Sequence, residues 1–381
     1  MTPKLYIIDT TLRDGEQAPG VVFSLEDKLK IATLLDQARV PEVEIGSPIM
    51  GVQERNDMRV LASHKFKFKT LAWCRATRED IDAAEETGCD GVSISFPVSD
   101  IQMKAMGKNK AWVLSNVKQI LSYAQDRFSF LGVGAQDASR AELSFLFDFI
   151  EQAQVVGARR IRIADTVGIL NPFSTIELIQ NIRKYCPDVP LCFHGHNDLG
   201  MATANTIAAF KAGAYAADVT INGLGERAGN AALEEVVMAL DLSMKTPTGI
   251  KTELLTKMSS TVESLSGRKL PESKPITGHA VLTHKSGVHV NSLLKDRKSY
   301  QIIEAKKIGT KEHEFVFGKH SGKASIMSFF QKRGLKLTDN QCEWILEYIK
   351  QYANIFKREI IDEELMRIYL FVVRTPNVFS K

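Results

Sequence analysis

The sequence predicts a parallel (β/α)8 TIM barrel, an α/β fold, followed by a C-terminal helical lid and dimerisation region. Three observations carry this. Over the first two thirds of the 381 residues, short β-branched or apolar runs alternate with amphipathic helical segments. Each strand and helix together take roughly thirty residues, as a βα unit requires, and eight such pairs are legible. Chemistry-bearing polar residues recur at the C-terminal ends of the predicted strands, where a closed barrel gathers them on one rim. An open doubly wound sheet is the rival fold, and it offers no such gathering point.

In order, the strands read LYIIDTT, VEIGSP, FKTLAWC, GVSISFP, FSFLGVGAQ, RIRIADTVG, LCFHGHN and ADVTING. Helices are expected to begin near Ser24, Gly51, Thr77, Asn109, Ser139, Pro172, Gly200 and Gly229. Ser24 with Asp27 resembles a capping box, and Pro172 suits a first helical turn. Strict alternation favours the barrel because parallel strands need helical crossovers and a closed ring leaves no edge. Residues 1–245 are expected to form the barrel. From Thr246 the rhythm stops, and 246–381 read as a linker, a lid segment and a helical C-terminal subdomain.

Composition excludes several classes of function. A net charge of +4 is spread along the chain with no basic block interleaved with aromatics, so neither nucleic acid nor an anionic membrane is an expected partner. Five cysteines with no C-x-x-C are expected to stay reduced in a cytoplasm. The N-terminal residues lack the apolar core of a signal peptide, and no window approaches a membrane span.

The stretch HGHNDLG, residues 194 to 200, carries the most specific chemistry. On a strand, residues i and i+2 share a face, so His194 and His196 project together. Two imidazoles side by side favour a shared ligand over two separate partners. Asp14, at the end of the first strand, would add a carboxylate in the closed ring, giving a nitrogen and oxygen set suited to a divalent metal: Mg, Mn, Zn or Fe. Such a set also serves Fe(II) oxygenases. Arg13 beside it favours stabilising negative charge on a polarised ketone or enolate.

LRDGEQ at 12–17, HGHNDLGMATAN at 194–205 and NGLGERAGNAALEEVVMAL at 222–240 resemble the acyl-CoA-condensing branch of the DRE-TIM metallolyases. That branch includes 2-isopropylmalate, citramalate and homocitrate synthases. AWCRA, FPVSD and GMATANT, with the short chain, are most similar to the nitrogenase-associated homocitrate synthases. The resemblance implies a Claisen-type condensation of acetyl-CoA with 2-oxoglutarate in a homodimer, without a leucine-responsive domain. It implies Asp14, His194 and His196 as metal ligands, with Asn230 as a further ligand or neighbour. Arg13 would act on the keto oxygen, and Glu44 and Thr166 would line the oxo-acid site. His289 and Tyr300 would act at the acetyl-CoA methyl group from a lid that, in relatives, reaches the neighbouring subunit's barrel.

Two departures from that branch stand out. Where relatives read Glu-Asp, this chain reads Gln136-Asp137; an amide cannot exchange a proton as a carboxyl does, so either Asp137 or a water relay is expected to take the role, or turnover is slow. Where relatives read HESG, it reads His284-Lys285-Ser286-Gly287. Strand 5 has no arginine for the far carboxylate of 2-oxoglutarate, and Arg75 is the expected substitute; a surface ion pair is its other reading. Gly223-x-Gly225-x-x-Ala228 fits a dinucleotide fingerprint formally but follows the last strand instead of opening the domain, so a nicotinamide enzyme is disfavoured. A catalytically impaired regulator is the non-enzyme alternative.

Overall fold

The computed structural model describes residues 5–311 and 315–375. The chain divides into two compact units, Met1–Leu270 and Pro271–Lys381. In the first, eight parallel strands close into a ring in sequence order, the predicted barrel. They are β1 (Tyr6–Asp9), β2 (Glu42–Gly46), β3 (Lys69–Arg75), β4 (Gly91–Pro97), β5 (Phe130–Gln136), β6 (Arg160–Asp165), β7 (Leu191–Gly195) and β8 (Ala216–Val219). Closure is made by β1 pairing with β8, Tyr6 opposite Ala216 through Asp9 opposite Val219.

Helices wrap the ring: α1 (Leu25–Gln37), α2 (Val52–Ser63), α3 (Arg78–Glu85), α4 (Asp100–Ala105), α5 (Lys110–Ala124), α6 (Leu143–Val155), α7 (Pro172–Tyr185), α8 (Ala202–Lys211), α9 (Leu233–Leu242) and α10 (Leu255–Ser266). Local sequence sets their starts. Ser24 and Asp27 form the expected capping box, Asn171 caps α7 with Pro172 in its first turn, and Thr77 and Asn109 cap α3 and α5. Three helices start later than the sequence suggests, at Leu143, Ala202 and Leu233. In each case the intervening residues build a rim loop, such as the 3-10 turn Ala138–Arg140. The first unit also runs past residue 245, because α10 packs against α1 and the turn after β8.

The apolar core lies between strands and helices. Phe96 of β4 and Phe149 of α6, both buried, meet edge to face at 5.8 Å. The barrel's interior is instead ionic. Arg160 and Arg162 of β6 reach Glu42 and Glu44 of β2, on the opposite side of the ring. Room for them comes from β4 and β5, whose inward positions are Gly91, Ser93 and Ser95, and Gly132 and Gly134.

In the second unit, α11 (Gly287–Lys295), α12 (Lys323–Lys332), α13 (Asp339–Phe356) and α14 (Asp362–Arg374) follow in order. Phe317, Phe330, Ile345, Leu365 and Tyr369 share its core. Among the described residues, no helix is long and apolar enough to cross a membrane.

Candidate active site

The C-terminal ends of the strands hold the site. After β1, the amides of Arg13, Asp14 and Gly15 all point at the carbonyl of Thr10, at 3.1, 2.8 and 3.1 Å, a tight turn that sets Arg13 and Asp14 over the barrel mouth. His194 on β7 and His196 just past its end project together as period two requires, their Nε2 atoms 3.2 Å apart. Asp14 Oδ2 lies 3.3 Å from His194 Nε2. All three residues are buried.

This trio fits a divalent cation. Two donors bound about 2.1 Å from one ion at 90–110° lie roughly 3.0–3.4 Å apart, matching both separations. Asp14 Oδ2 and His196 Nδ1 are buried without a hydrogen-bond partner. Burial, reinforced by neighbouring His194, lowers the His196 pKa to about 4, so its imidazole is neutral near pH 7, as a ligand must be. One ligand atom from each of the three residues lies within 4.8 Å of the others.

A chain of charges supports the trio from below. Asp218 of β8 accepts from His194 Nδ1 at 3.0 Å and from Arg162 Nε at 2.6 Å. Arg162 Nη2 also meets Glu44, and Glu44 Oε2 accepts from Arg13 Nε at 2.7 Å. Burial pushes the Asp218 carboxyl up, but Arg162 and His194 outweigh it and hold it well below the usual carboxylate range. The Arg13 guanidinium carbon sits 5.5 Å from the centre of the Trp73 ring. A cavity of about 180 Å³ opens here, its lining including Arg13, Asp14, His194, His196, Trp73, Ser95, Gly134, Gln136, Arg162 and Thr166.

Several expectations are corrected by these positions. Glu44 does not line the cavity; it lies fully buried beneath it, bridging Arg13 and Arg162. Arg75 lies outside, its side chain 57% exposed and paired with Asp80 at 2.8 Å, because Asp80 at the start of α3 draws it outward. Asp137 does not line the cavity either. Fully buried, it receives the Arg140 guanidinium at 2.7 Å and the Ser99 hydroxyl, and its amide donates to Thr166 Oγ1 at 2.9 Å. Of the Gln136-Asp137 pair, Gln136 is the one that lines the cavity.

Asn230 lies opposite His196 in an antiparallel bridge, its Nδ2 donating to Leu224 O at 3.1 Å and its buried Oδ1 unpartnered. Close packing of this loop needs Gly229: at φ +88°, an added Cβ would sit 2.0 Å from Gly223 O. In the second unit His289 and Tyr300 stack, ring centres 4.1 Å apart. Lys285 pairs with Glu359 at 3.0 Å. Sequence reasoning missed Asp218, Arg162 and Trp73; Asp218 and Arg162 are charged residues inside predicted strands, a signal of an ionic barrel interior.

Residues 4–262 match the HMGL-like family model, and residues 276–357 match the homocitrate synthase post-HMGL domain-like model. The chain is 42% identical to 2-isopropylmalate synthase 2 of Caldanaerobacter subterraneus, over 97% of this chain and 96% of that protein. It is 41% identical to homocitrate synthase 1 of Nostoc sp., covering 96% and 97%, and 38% identical to the (R)-citramalate synthase of Methanocaldococcus jannaschii, covering 95% and 73%. Among solved structures, hydroxymethylglutaryl-CoA lyase from Pseudomonas aeruginosa superposes with a TM-score of 0.64 at 20% identity, over 70% of this chain and 95% of that one, a likeness of fold.

Proposed function

The chain belongs to the HMGL-like family, and from that premise we propose that it is an acyl-CoA-condensing synthase that joins acetyl-CoA to 2-oxoglutarate, releasing homocitrate and CoA. The observation that carries this reading is the buried Asp14, His194 and His196 trio with Arg13 at the mouth of the barrel. The match of residues 276–357 to the post-barrel domain of homocitrate synthases supports the choice of oxo acid. Relatives similar to this chain also include synthases named for 2-isopropylmalate and citramalate, so 2-oxoisovalerate and pyruvate are the competing substrates.

Asp14, His194 and His196 hold a divalent cation, Mg, Mn or Zn, with Asn230 beside them. When bound, the cation supplies a Lewis acid for the keto group. Arg13, held by Glu44, offers its remaining N–H groups to the charge that develops on the keto oxygen. Thr166 lines the same cavity and orients the oxo acid. His289, with Tyr300 stacked against it, takes a proton from the acetyl methyl group. That methyl carbon bonds to the keto carbon, the keto oxygen takes up a proton, and water cleaves the thioester C–S bond to release CoA. The protein acts as a homodimer, in keeping with its resemblance to enzymes whose lid segment crosses between subunits. Five free cysteines agree with a reducing cytoplasm.

The test is CoA release by metal-loaded protein from acetyl-CoA, with 2-oxoglutarate, 2-oxoisovalerate and pyruvate compared at equal concentration. The highest kcat/KM is expected with 2-oxoglutarate. A preference for either of the others leaves the condensation intact and overturns the substrate, and no turnover with any of them sinks the reading.

A further inference from the structure

We infer that Glu226 is the general base that activates water for cleavage of the thioester, the last step of the condensation proposed above, on which this inference rests.

That step needs a group beside the reacting space that can take a proton from water. Of the imidazoles and carboxylates lining the cavity of about 180 Å³, Asp14, His194 and His196 are committed to the cation, and Glu226 is the one that remains among the described residues. Gln136 lines the same space, but an amide takes up no proton at neutral pH. The Glu226 side chain is 54% exposed, so water reaches it, and its carboxylate accepts no hydrogen bond from the protein among the described residues. Arg227 Nη1 stands 3.9 Å from Glu226 Oε2, beyond hydrogen-bond length. The lone pairs that a water would use are open.

Half exposed, the base is still held in place, because its loop is tied on both sides. The Gly229 amide donates to Glu226 O at 2.8 Å and the Asn230 amide to Gly223 O at 2.9 Å, closing a tight turn with Glu226 and Arg227 in its middle. Arg227, at φ +52°, donates from Nε and Nη2 to the two Asp198 carboxylate oxygens at 2.8 and 3.0 Å, and from Nη2 to Thr166 O at 2.8 Å. These bonds moor the turn to the loops after β6 and β7. Gly225 lets it close, since an added Cβ there would lie 2.3 Å from Asn230 Nδ2. Asn230 in turn bridges to His196, which registers the turn against the cation site. Arg227 lines both this cavity and a second one of about 280 Å³, so Glu226 stands at the boundary of two spaces, where a small acyl group would meet its long carrier.

In the step itself, Glu226 takes one proton from a water molecule while the water oxygen bonds to the thioester carbonyl carbon. The C–S bond then breaks and that proton passes to the departing sulfur, leaving a carboxylic acid and the free thiol of CoA. Glu226 ends as it began, a carboxylate.

The experiment compares the wild type, Glu226→Gln and Glu226→Asp, all Mn²⁺-loaded, with acetyl-CoA and whichever of the three oxo acids the wild type turns over. Single turnovers are quenched in acid, and free CoA and the condensed acyl-CoA are measured separately by mass spectrometry. Glu226→Gln is expected to slow CoA release roughly 100- to 10,000-fold while condensed acyl-CoA accumulates, and Glu226→Asp to recover part of the release. A merely structural role would slow carbon–carbon bond formation as well and leave no condensed thioester. Slow release without that accumulation overturns the assignment, as does release at the wild-type rate in Glu226→Gln, and in both cases the condensation stands. If Glu226→Gln does not fold, accumulation of condensed acyl-CoA in Glu226→Asp supports the base and its absence refutes it. A wild type that turns over none of the oxo acids overturns both readings.

Discussion

Replacing Asp218 with asparagine tests whether the ionic floor of the barrel sets up the metal centre. Asp218 touches none of the three proposed ligand atoms; it accepts from the far nitrogen of His194 at 3.0 Å and from Arg162 at 2.6 Å. Its charge fixes His194 with the proton on Nδ1, leaving the Nε2 lone pair for the cation. Asparagine keeps the shape, loses the charge, and offers one carbonyl oxygen where two donors compete. Loss of such an outer partner typically costs 10- to 100-fold in metal affinity, about 1.4–2.7 kcal/mol. Arg162 retains Glu44, so the fold should lose only about 1–3 kcal/mol. The assay is competition for Mn²⁺ or Zn²⁺ against a chelating dye, with Asp14→Ala as the variant that removes a ligand outright. A dissociation constant for Asp218→Asn within about twofold of wild type, alongside a large loss in Asp14→Ala, would refute the reasoning.

Three further outcomes are expected. Arg160→Met strands Glu42 in the barrel interior, where its remaining side-chain donor is the Tyr6 hydroxyl at 3.2 Å, and should cost about 3–5 kcal/mol in urea unfolding; adding Glu42→Leu should restore most of it, and an unshifted midpoint in the single variant counts against the brace. Burial raises the Asp9 pKa to about 7 from 3.8, so between those values the folded state keeps a proton that the unfolded chain has released. Stability should therefore fall as pH rises through that window, by at most about 4 kcal/mol, and Asp9→Asn should flatten the dependence of Tm on pH; superimposable profiles would show that Asp9 is not responsible. Arg75→Ala should leave kcat/KM for every oxo acid within about twofold, since its partner is the half-exposed contact with Asp80; a selective loss on 2-oxoglutarate would return Arg75 to the site.

The barrel was legible because its strands are short apolar runs at regular spacing, a pattern that survives without knowledge of neighbours. The meeting of Asp14, His194 and His196 was legible for a related reason: the two histidines obey the strand's period, and Asp14 follows a strand brought near them by ring closure. What could not be read were relations across the ring. Nothing in one dimension says that Arg162 meets Glu44, so Glu44 was expected to line the substrate space instead of bracing it. Arg75 and Asp137 stand at strand ends, as rim residues should. Their direction was decided by Asp80 and Arg140, partners whose geometry belongs to the loops. Helix starts were displaced for the same reason, at the loops that build the rim.

The two braces from β2 to β6 also bear on how the chain becomes a barrel. Each joins residues 118 positions apart, an acid in the first four strands and a base in the second four. A growing chain that has made only β1 to β4 holds Glu42 without its guanidinium and Glu44 with Arg13 alone, and the remaining half alone would hold Arg160 without its carboxylate and Arg162 with Asp218 alone. Neither half has a core it can bury at neutral pH without solvent entering. The ring is therefore expected to consolidate late and as a whole, through contacts of high sequence separation that slow folding. Cutting the gene between β4 and β5 should yield two fragments that are poorly folded apart and recover the barrel only on mixing.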